Sequence, residues 1–147
     1  MNLPVYELDV GEGITTFEFI SQGQKGNISK MIKFTEMMPS VYNLGFGDKN
    51  VETGEMDDLA ISNNGDAEKV LATVVSAVYT FTKDNPESVV YATGSTDARN
   101  RLYRIGISRH YDDAIKDFDI FGLRNGEWVN FDKNVDYEAF LAKRKNL

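Results

Sequence analysis

The sequence predicts an α+β fold, in which two helices pack on one face of a mostly antiparallel, curved sheet of about six strands. Three observations support this class. The first third of the chain alternates apolar and polar residues, the middle repeats apolar residues at helical spacing, and an Asn-Gly hairpin signal lies near the end. The predicted order is β-β-β, α, β, α, β-β, followed by a last segment that fits a strand or a helix.

The N-terminal strands are predicted within residues 14–47. Alternation up to the loop Gly23-Gln24-Lys25-Gly26, and again from there to Met38, indicates a hairpin with a glycine-containing loop. Pro39 ends the second arm, and a third strand is predicted at residues 41–47. The alternation in the second arm indicates a half-buried antiparallel sheet rather than a fully buried parallel one. One face carries Ile28, Lys30, Ile32, Phe34 and Glu36, and the other carries Ser29, Met31, Lys33 and Thr35.

An acidic segment, residues 48–68, separates these strands from the first helix. It contains seven carboxylates against one lysine and predicts a loop with a short strand at residues 59–62. The helix itself is predicted from apolar residues at helical spacing: Ala67, Val70, Leu71, Val74, Val75, Val78 and Phe81. Asn64 or Asp66 would cap its start, and it ends before Pro86. Because valine is a poor helix former, burial must stabilise this helix.

The C-terminal half predicts a strand at residues 88–92 and a second helix from Asp97 to about Tyr111. A hairpin follows, with arms at residues 118–123 and 127–131 joined through an Asn-Gly turn. The last segment, residues 137–143, fits either an edge strand or a short helix. On a helical wheel, the buried side of the second helix is expected to carry Ala98, Leu102 and Ile105, with Tyr103 beside them.

The size and composition predict a single domain. A chain of 147 residues with 41% hydrophobic residues supports one core and is too short for two ordinary domains. No apolar run approaches the roughly 20 residues needed to cross a bilayer, and residues 1–10 lack the pattern of a secretory signal. We therefore expect a cytoplasmic protein with no membrane partner.

The absence of cysteine and the single histidine exclude many chemistries. Thiol nucleophiles, disulfides, iron-sulfur clusters and structural zinc all need residues that the chain lacks. No cofactor is predicted. Asp57 and Asp58 are weak candidates for a hard cation, but their spacing fits no calcium-binding loop, so no metal is predicted either. The net charge of −7 argues against indiscriminate nucleic-acid binding.

A basic junction between the strand at residues 88–92 and the second helix is the most informative feature. Gly94 makes the turn, Ser95 or Thr96 caps the helix, and three arginines follow, Arg99, Arg101 and Arg104. A helix N-terminus and guanidinium groups both favour anions, so these five side chains from Ser95 to Arg104 are anion-binding candidates. The alternative is structural: the arginines pair with the acidic segment of the same protein.

His110 lies close to Ser108, Asp112 and Asp113 in the sequence. Residues so near one another on one helix do not converge as a catalytic triad must, so we expect no catalysis through this group. Instead, we expect His110 at a helix C-terminus, where a positive charge is favoured.

Five short motifs, spread over nearly the whole chain, carry a resemblance. They are Tyr42-Asn43-Leu44-Gly45-Phe46-Gly47-Asp48, Asp57-Asp58, Asn63-Asn64-Gly65-Asp66, Val70-Leu71-Ala72-Thr73-Val74, and Gly94-Ser95-Thr96 with Arg99 and Arg101-Leu102-Tyr103-Arg104. Together they resemble an uncharacterised family of small bacterial single-domain proteins. The resemblance implies one intact domain and, because that family has no established activity, no catalytic residues.

Two functional hypotheses follow, and a third concerns assembly. The first is a non-enzymatic binding module that recognises a protein partner or a phosphate-containing ligand through the basic junction. The second is an enzyme or accessory acting on a phosphate-containing substrate or nucleic acid, with Arg101 and Arg104 stabilising charge and Asp57 or Asp58 binding metal or acting as base. The third is a homo-oligomer, in which the basic helix of one copy meets the acidic segment of another.

Overall fold

The fold is a mixed sheet with three helices on one of its faces. This computed structural model describes residues 4–10, 15–57, 64–94 and 96–145. The strands within these ranges are β1 Asp9–Val10, β2 Thr16–Gly23, β3 Gly26–Met38, β4 Val41–Lys49, β5 Met56–Asp57, β6 Val89–Ala92, β7 Phe118–Arg124, β8 Glu127–Asn130 and β9 Ala139–Arg144. The helices are α1 Ala67–Asp84, α2 Asp97–Arg109 and α3 Tyr111–Asp117.

The predicted α+β class is confirmed, but the predicted counts are wrong. The described residues form nine strands and three helices, where about six strands and two helices were expected. Two of the additional strands, β1 and β5, are two residues long, too short for an alternating pattern to reveal. The third helix arises because the chain turns at His110, which ends α2 and begins α3. The strand predicted at residues 59–62 lies outside the described residues.

The strand order is β1-β2-β3-β4-β6-β9-β7-β8, with β5 also paired to β4. The pair of β4 and β6 is parallel, with α1 as the crossover between them, whereas the remaining pairs are antiparallel. The sheet is therefore mixed rather than antiparallel throughout. The last predicted segment is a strand, β9, and it lies inside the sheet between β6 and β7, not at an edge.

The largest core cluster joins α1 to β2, β3, β4 and β6. Its apolar side chains include Phe34 and Phe81, whose ring centroids lie 4.2 Å apart in a stacked arrangement. The valines Val70 and Val74 of α1 face this core, as the helical spacing predicted. Burial of these side chains is what stabilises a helix rich in β-branched residues.

Asp66 occupies the N-cap position of α1, but its side chain makes no capping hydrogen bond. Its carboxylate instead accepts hydrogen bonds from the hydroxyl groups of Tyr6 and Ser21. Asn64 extends the same network, since its side-chain amide donates to Ser21 Oγ (3.1 Å) and to the carbonyl of Gly26 (2.9 Å). These bonds attach the start of α1 to the β2–β3 hairpin.

A smaller cluster lies under α2 and contains Phe131, Tyr137 and Phe140. The face of α2 that points inward differs from the predicted one. Gly106 is buried and Tyr103 and Ile107 pack against this smaller cluster, while Ala98 is exposed and Leu102 and Ile105 are half-buried. The predicted buried face was wrong because α2 contains four arginines and few apolar residues, which leaves its apolar face poorly defined.

No helix in the described ranges is long and apolar enough to span a membrane.

Candidate functional site

The predicted basic junction lies at the start of α2, which has an ordinary N-cap. Ser95 lies outside the described residues, and Thr96 caps the helix by accepting a hydrogen bond from the backbone N–H of Arg99 (3.2 Å). The backbone N–H of Gly94 donates to Asn100 Oδ1 (2.6 Å). The backbone N–H groups of Gly94 and Arg99 therefore already have acceptors within the turn.

Close packing explains why residue 94 is a glycine. A Cβ atom at this position would lie 2.5 Å from the backbone nitrogen of Asn100 and 2.5 Å from Arg99 Cβ, so a larger residue does not fit. Gly94 and Thr96 therefore each have a structural reason, which is the close approach of the chain to the first turn of α2 for Gly94 and the helix cap for Thr96.

The structure separates the three arginines by environment. Arg104 Nη1 lies 3.2 Å from a carboxylate oxygen of Asp136, while Arg101 is exposed. Arg99 is half-buried. Among the described residues, Arg99 Nη2 and Arg104 Nε are buried atoms without a hydrogen-bond partner. From the acidic segment, Glu68 pairs with Arg109 (3.1 Å), a residue that the sequence analysis did not single out.

A polar cleft of about 650 Å³ opens beside this junction. Its lining includes the carboxylates of Asp97, Asp136 and Glu138 and one guanidinium, that of Arg124. None of the three candidate arginines lines it. The cleft next to the helix start is therefore predominantly acidic.

Only one of the two weak metal candidates lies within the described residues. Asp57 ends the short strand β5 and is exposed, and Asp58 lies outside the described residues. Within the part of the chain that the structure describes, no three His, Cys, Asp or Glu residues are grouped so that they could hold a metal ion.

A second, apolar cavity lies between the helices and the sheet, where the two core clusters meet. Its volume is about 100 Å³. Helix α1 contributes Leu71, Val74, Val75, Val78 and Tyr79, and α2 contributes Tyr103, Gly106, Ile107 and His110. The floor and remaining walls are formed by Leu44, Val90, Ala92, Ala114, Phe118, Ile120, Phe140, Leu141 and Ala142. Engineered apolar cavities of about 150 Å³ stay dry and bind benzene, so this volume is of the order that admits one small apolar molecule.

Gly106 sets the distance between α1 and α2 above this cavity. A Cβ atom there would lie 3.3 Å from Leu71 Cδ2, which is tighter than ordinary contact. Glycine in the middle of a helix costs roughly 1 kcal/mol relative to alanine. Its presence lets the two helices approach closely at the cavity wall.

His110 is the polar side chain of this cavity with an unpartnered nitrogen. It is 4% exposed, and its Nε2 is buried without a hydrogen-bond partner among the described residues. Burial lowers the pKa of His110 below its usual value, and the nearby carboxylate of Asp113 offsets this only in part. The predicted position of His110 at a helix C-terminus is confirmed, since it is the C-cap residue of α2.

Tyr79, at the edge of the cavity, has its hydroxyl engaged. It donates a hydrogen bond to Asp117 Oδ2 (2.8 Å), and Arg144 packs against the tyrosine ring. Burial, reinforced by this carboxylate, raises the pKa of the Tyr79 phenol well above its usual range. The hydroxyl is thus a fixed structural donor at neutral pH.

Sequence reasoning missed this cavity. The small residues that leave the space open, Ala92, Gly106, Ala114 and Ala142, come from four different elements and form no local pattern. The single histidine of the chain was the only sequence feature that could have drawn attention to this region.

Fold and site together define an α+β protein with one sheet face covered by three helices and an apolar cavity beneath them. The chain belongs to a family of unknown function, DUF6934, whose model matches residues 2–145. The predicted resemblance to an uncharacterised family is thereby confirmed over nearly the whole chain. No curated protein and no solved structure matches it.

Proposed function

We propose that the protein is a non-enzymatic binding module, and that its site is the apolar cavity under α1, α2 and α3. The observation that carries this proposal is a space of about 100 Å³ between the helices and the sheet, lined almost entirely by apolar atoms. Protein interiors pack as densely as organic crystals, and spaces larger than a water molecule are few. A ligand that fills this space would remove apolar surface from water, which is favourable.

The character of the lining supports a binding role over a catalytic one. The lining residues include no lysine, arginine, aspartate or glutamate. The hydroxyl group of Tyr79, at the edge of the cavity, is already bonded to the carboxylate of Asp117. The cavity is suited to holding a molecule rather than to transforming it.

The test is a set of thermal unfolding curves with benzene, toluene and indole, measured on the wild type and on Ala114→Leu. Ala114 lines the cavity, so the added leucine atoms occupy the ligand's space. We expect at least one of these molecules to raise the unfolding temperature of the wild type but not that of the variant.

The matched control is Ala98→Leu, the same change at an exposed position of α2. It should keep the ligand-dependent rise. If no apolar molecule shifts the wild type, or if Ala114→Leu responds as the wild type does, the cavity is not the binding site.

A second candidate function is the binding of an anion at the site predicted from the sequence, and the side chains of Arg99 and Arg104 support it. Each keeps a buried guanidinium nitrogen without a partner, and a phosphate group would supply acceptors. Its test is unfolding of the wild type and of Arg99→Ala plus Arg104→Ala with inorganic phosphate, nucleotides and short RNA. An increase in the wild type that the double variant loses would establish it. The enzymatic alternative, the homo-oligomer and the cytoplasmic location stay predictions.

A further inference from the structure

We propose that the open edge of strand β8 is a self-association surface, where two copies of the chain pair their β8 strands antiparallel about a two-fold axis at Val129. This inference is independent of the proposed ligand and its cavity. Strand β8 lies at one end of the sheet, and within the described residues it pairs with β7 alone. All four of its residues are exposed. Its free side is therefore an edge to which a further strand can add.

The register of the β7–β8 hairpin determines which backbone groups point to this edge. The N–H of Phe131 donates to the carbonyl of Ile120 (3.1 Å), so the backbone groups of residue 131 face β7. Backbone groups alternate in direction along an antiparallel strand, so those of Val129 also face β7. The N–H and C=O groups of Trp128 and Asn130 therefore point away from β7.

These outward groups are complementary to a second copy of themselves. When Trp128 of one copy lies opposite Asn130 of the second copy, each N–H meets a C=O, and the two-fold axis creates the same pair again. The Asn130 carbonyl already accepts a long hydrogen bond from the Tyr137 hydroxyl (3.4 Å). A carbonyl oxygen has two lone pairs, so one remains for the second copy.

The apolar side chain at the axis gives a reason for self-pairing. Val129 is 38% exposed, and its cross-strand neighbour Gly122 has no side chain to cover it. In the pair, the two Val129 side chains lie directly opposite each other, and their burial is favourable. The Trp128 ring lies against Tyr91 of its own sheet (ring centroids 6.2 Å), so it leaves the edge accessible.

Charge does not oppose this contact, although each copy has a formal net charge of −7. Glu127 is the one ionisable residue of β8. In this register it lies opposite residue 131 of the second copy, so the two Glu127 residues are roughly 13 Å apart along the strands, at about 3.3 Å per residue. This separation exceeds the Debye length of about 8 Å at physiological salt. Natural edge strands are often protected by lysine or proline, and β8 contains neither.

The first experiment is sedimentation velocity of the wild type at increasing concentration. A four-residue strand buries less surface than the roughly 1,200 Å² of stable complexes, so we expect monomers at about 10 µM and dimers toward about 1 mM. Val129→Lys places two ammonium groups opposite each other at the axis and should weaken the dimer by about tenfold or more. The matched control is Val51→Lys, which changes the net charge equally at a position that is 78% exposed, and it should associate as the wild type does.

Salt separates this surface from the pairing of a basic helix with an acidic segment. Opposite charges hold that alternative oligomer together, so it would weaken as salt rises. Pairing through β8 brings two acidic proteins together, so its affinity should be unchanged or higher at about 0.5 M than at about 0.05 M NaCl. Weaker association at the higher salt concentration would overturn the proposal.

Amide hydrogen exchange of the wild type, measured by NMR, identifies the strand itself. The N–H groups of Trp128 and Asn130 should exchange quickly in dilute protein, and about tenfold more slowly when about nine-tenths of the chains are paired. The N–H of Val129, which faces β7, should be protected at both concentrations. A chain that stays monomeric up to about 1 mM, or that dimerises without protecting Trp128 and Asn130, would overturn the proposal and leave the edge to a strand of a different protein. This measurement decides even if Val129→Lys does not fold.

Discussion

The helices cover one face of the sheet, and the two halves of that face differ in how many of their buried polar atoms have hydrogen-bond partners. In the first half, formed by β2, β3, β4 and α1, the buried polar side chains of Ser21 and Asn64 have hydrogen-bond partners, and the aromatic rings stack. The second half is formed by α2, α3, β7 and β9, and the cavity lies where this half meets α1, β4 and β6. All four buried, unpartnered side-chain atoms found in the described ranges belong to α2 or to His110 at its end: Arg99 Nη2, Arg104 Nε, Ser108 Oγ and His110 Nε2.

This difference indicates a division of roles. A region whose groups are fully paired and packed contributes stability, whereas unpaired groups and unfilled space are retained where another requirement competes with stability. The first half is the scaffold, and the second is where a ligand can be accommodated. The predictions below test this division, starting with the largest expected effect.

Phe34→Ala should be the most damaging of these changes. The ring is 1% exposed and stacks on Phe81, so its removal leaves a large hole in the scaffold. We expect a loss of about 3–5 kcal/mol in the free energy of unfolding, measured by urea denaturation. Val51→Ala, at a position that is 78% exposed, should change it by less than about 0.5 kcal/mol. A small effect of Phe34→Ala would mean that the first half is not the scaffold.

Asn64→Ala should cost roughly 1–3 kcal/mol, because it removes the partner of Ser21 Oγ and of the backbone N–H of Lys25. The matched control is Asn50→Ala. Asn50 also accepts from two backbone N–H groups, but its bonds lie in an exposed turn, where water replaces them. Equal losses for both variants in urea denaturation would contradict a special role for the buried network.

The same substitution should have opposite effects in the two halves. Ala77→Leu inserts atoms into the packed core beside α1, where Ala77 is fully buried, and should cost about 1–3 kcal/mol. Ala114→Leu inserts them into the cavity and should stabilise the protein by about 1 kcal/mol. Thermal and urea unfolding of both variants measure the difference. Destabilisation of similar size at both positions would show that the two halves are equally packed.

The smallest effect concerns pH. Because burial lowers the pKa of His110 in the folded protein, the unfolded chain binds the proton more readily. The stability linked to this group is therefore complete above about pH 6.5, the usual value, and declines as the pH falls from there toward the lower folded pKa. His110→Phe should lack this decline. The free energy of unfolding of each protein is measured from pH 8 to pH 5. The difference between the wild type and His110→Phe isolates the contribution of His110, because both proteins have the same carboxylates.

Secondary structure was predicted correctly from the sequence where it depends on residues within one helix or one hairpin. The helical spacing of Val70, Val74 and Phe81 identified α1 and its buried face, and the glycine loop after Gly23 identified the first hairpin. For α2 the start at Asp97 and a cap at Ser95 or Thr96 were predicted from the sequence, and the structure has Thr96 as the cap, but the predicted buried face was wrong. Its few apolar residues are spread around the helix, so contacts with α1 and β9 decide which of them point inward.

The anion-binding candidates illustrate the same limit. The sequence put Arg99, Arg101 and Arg104 on one helix, but it carried no information about Asp136, which pairs with Arg104 from a loop near the C-terminus. Pairing across 32 residues depends on how β9 enters the sheet. Likewise, β9 was compatible with a helix in isolation and became a strand because β6 and β7 supply hydrogen-bond partners on both sides.

The sequence by itself determined the α+β class, the first hairpin, the long helix and the exclusion of thiol and disulfide chemistry, because each depends on composition or on residues close together in the chain. The tertiary structure alone decided the order of the strands, the lowered pKa of His110 and the cavity. Each of these depends on the distances between elements far apart in sequence. Small residues leave open space, and burial lowers the pKa of a histidine, only when several such elements enclose them.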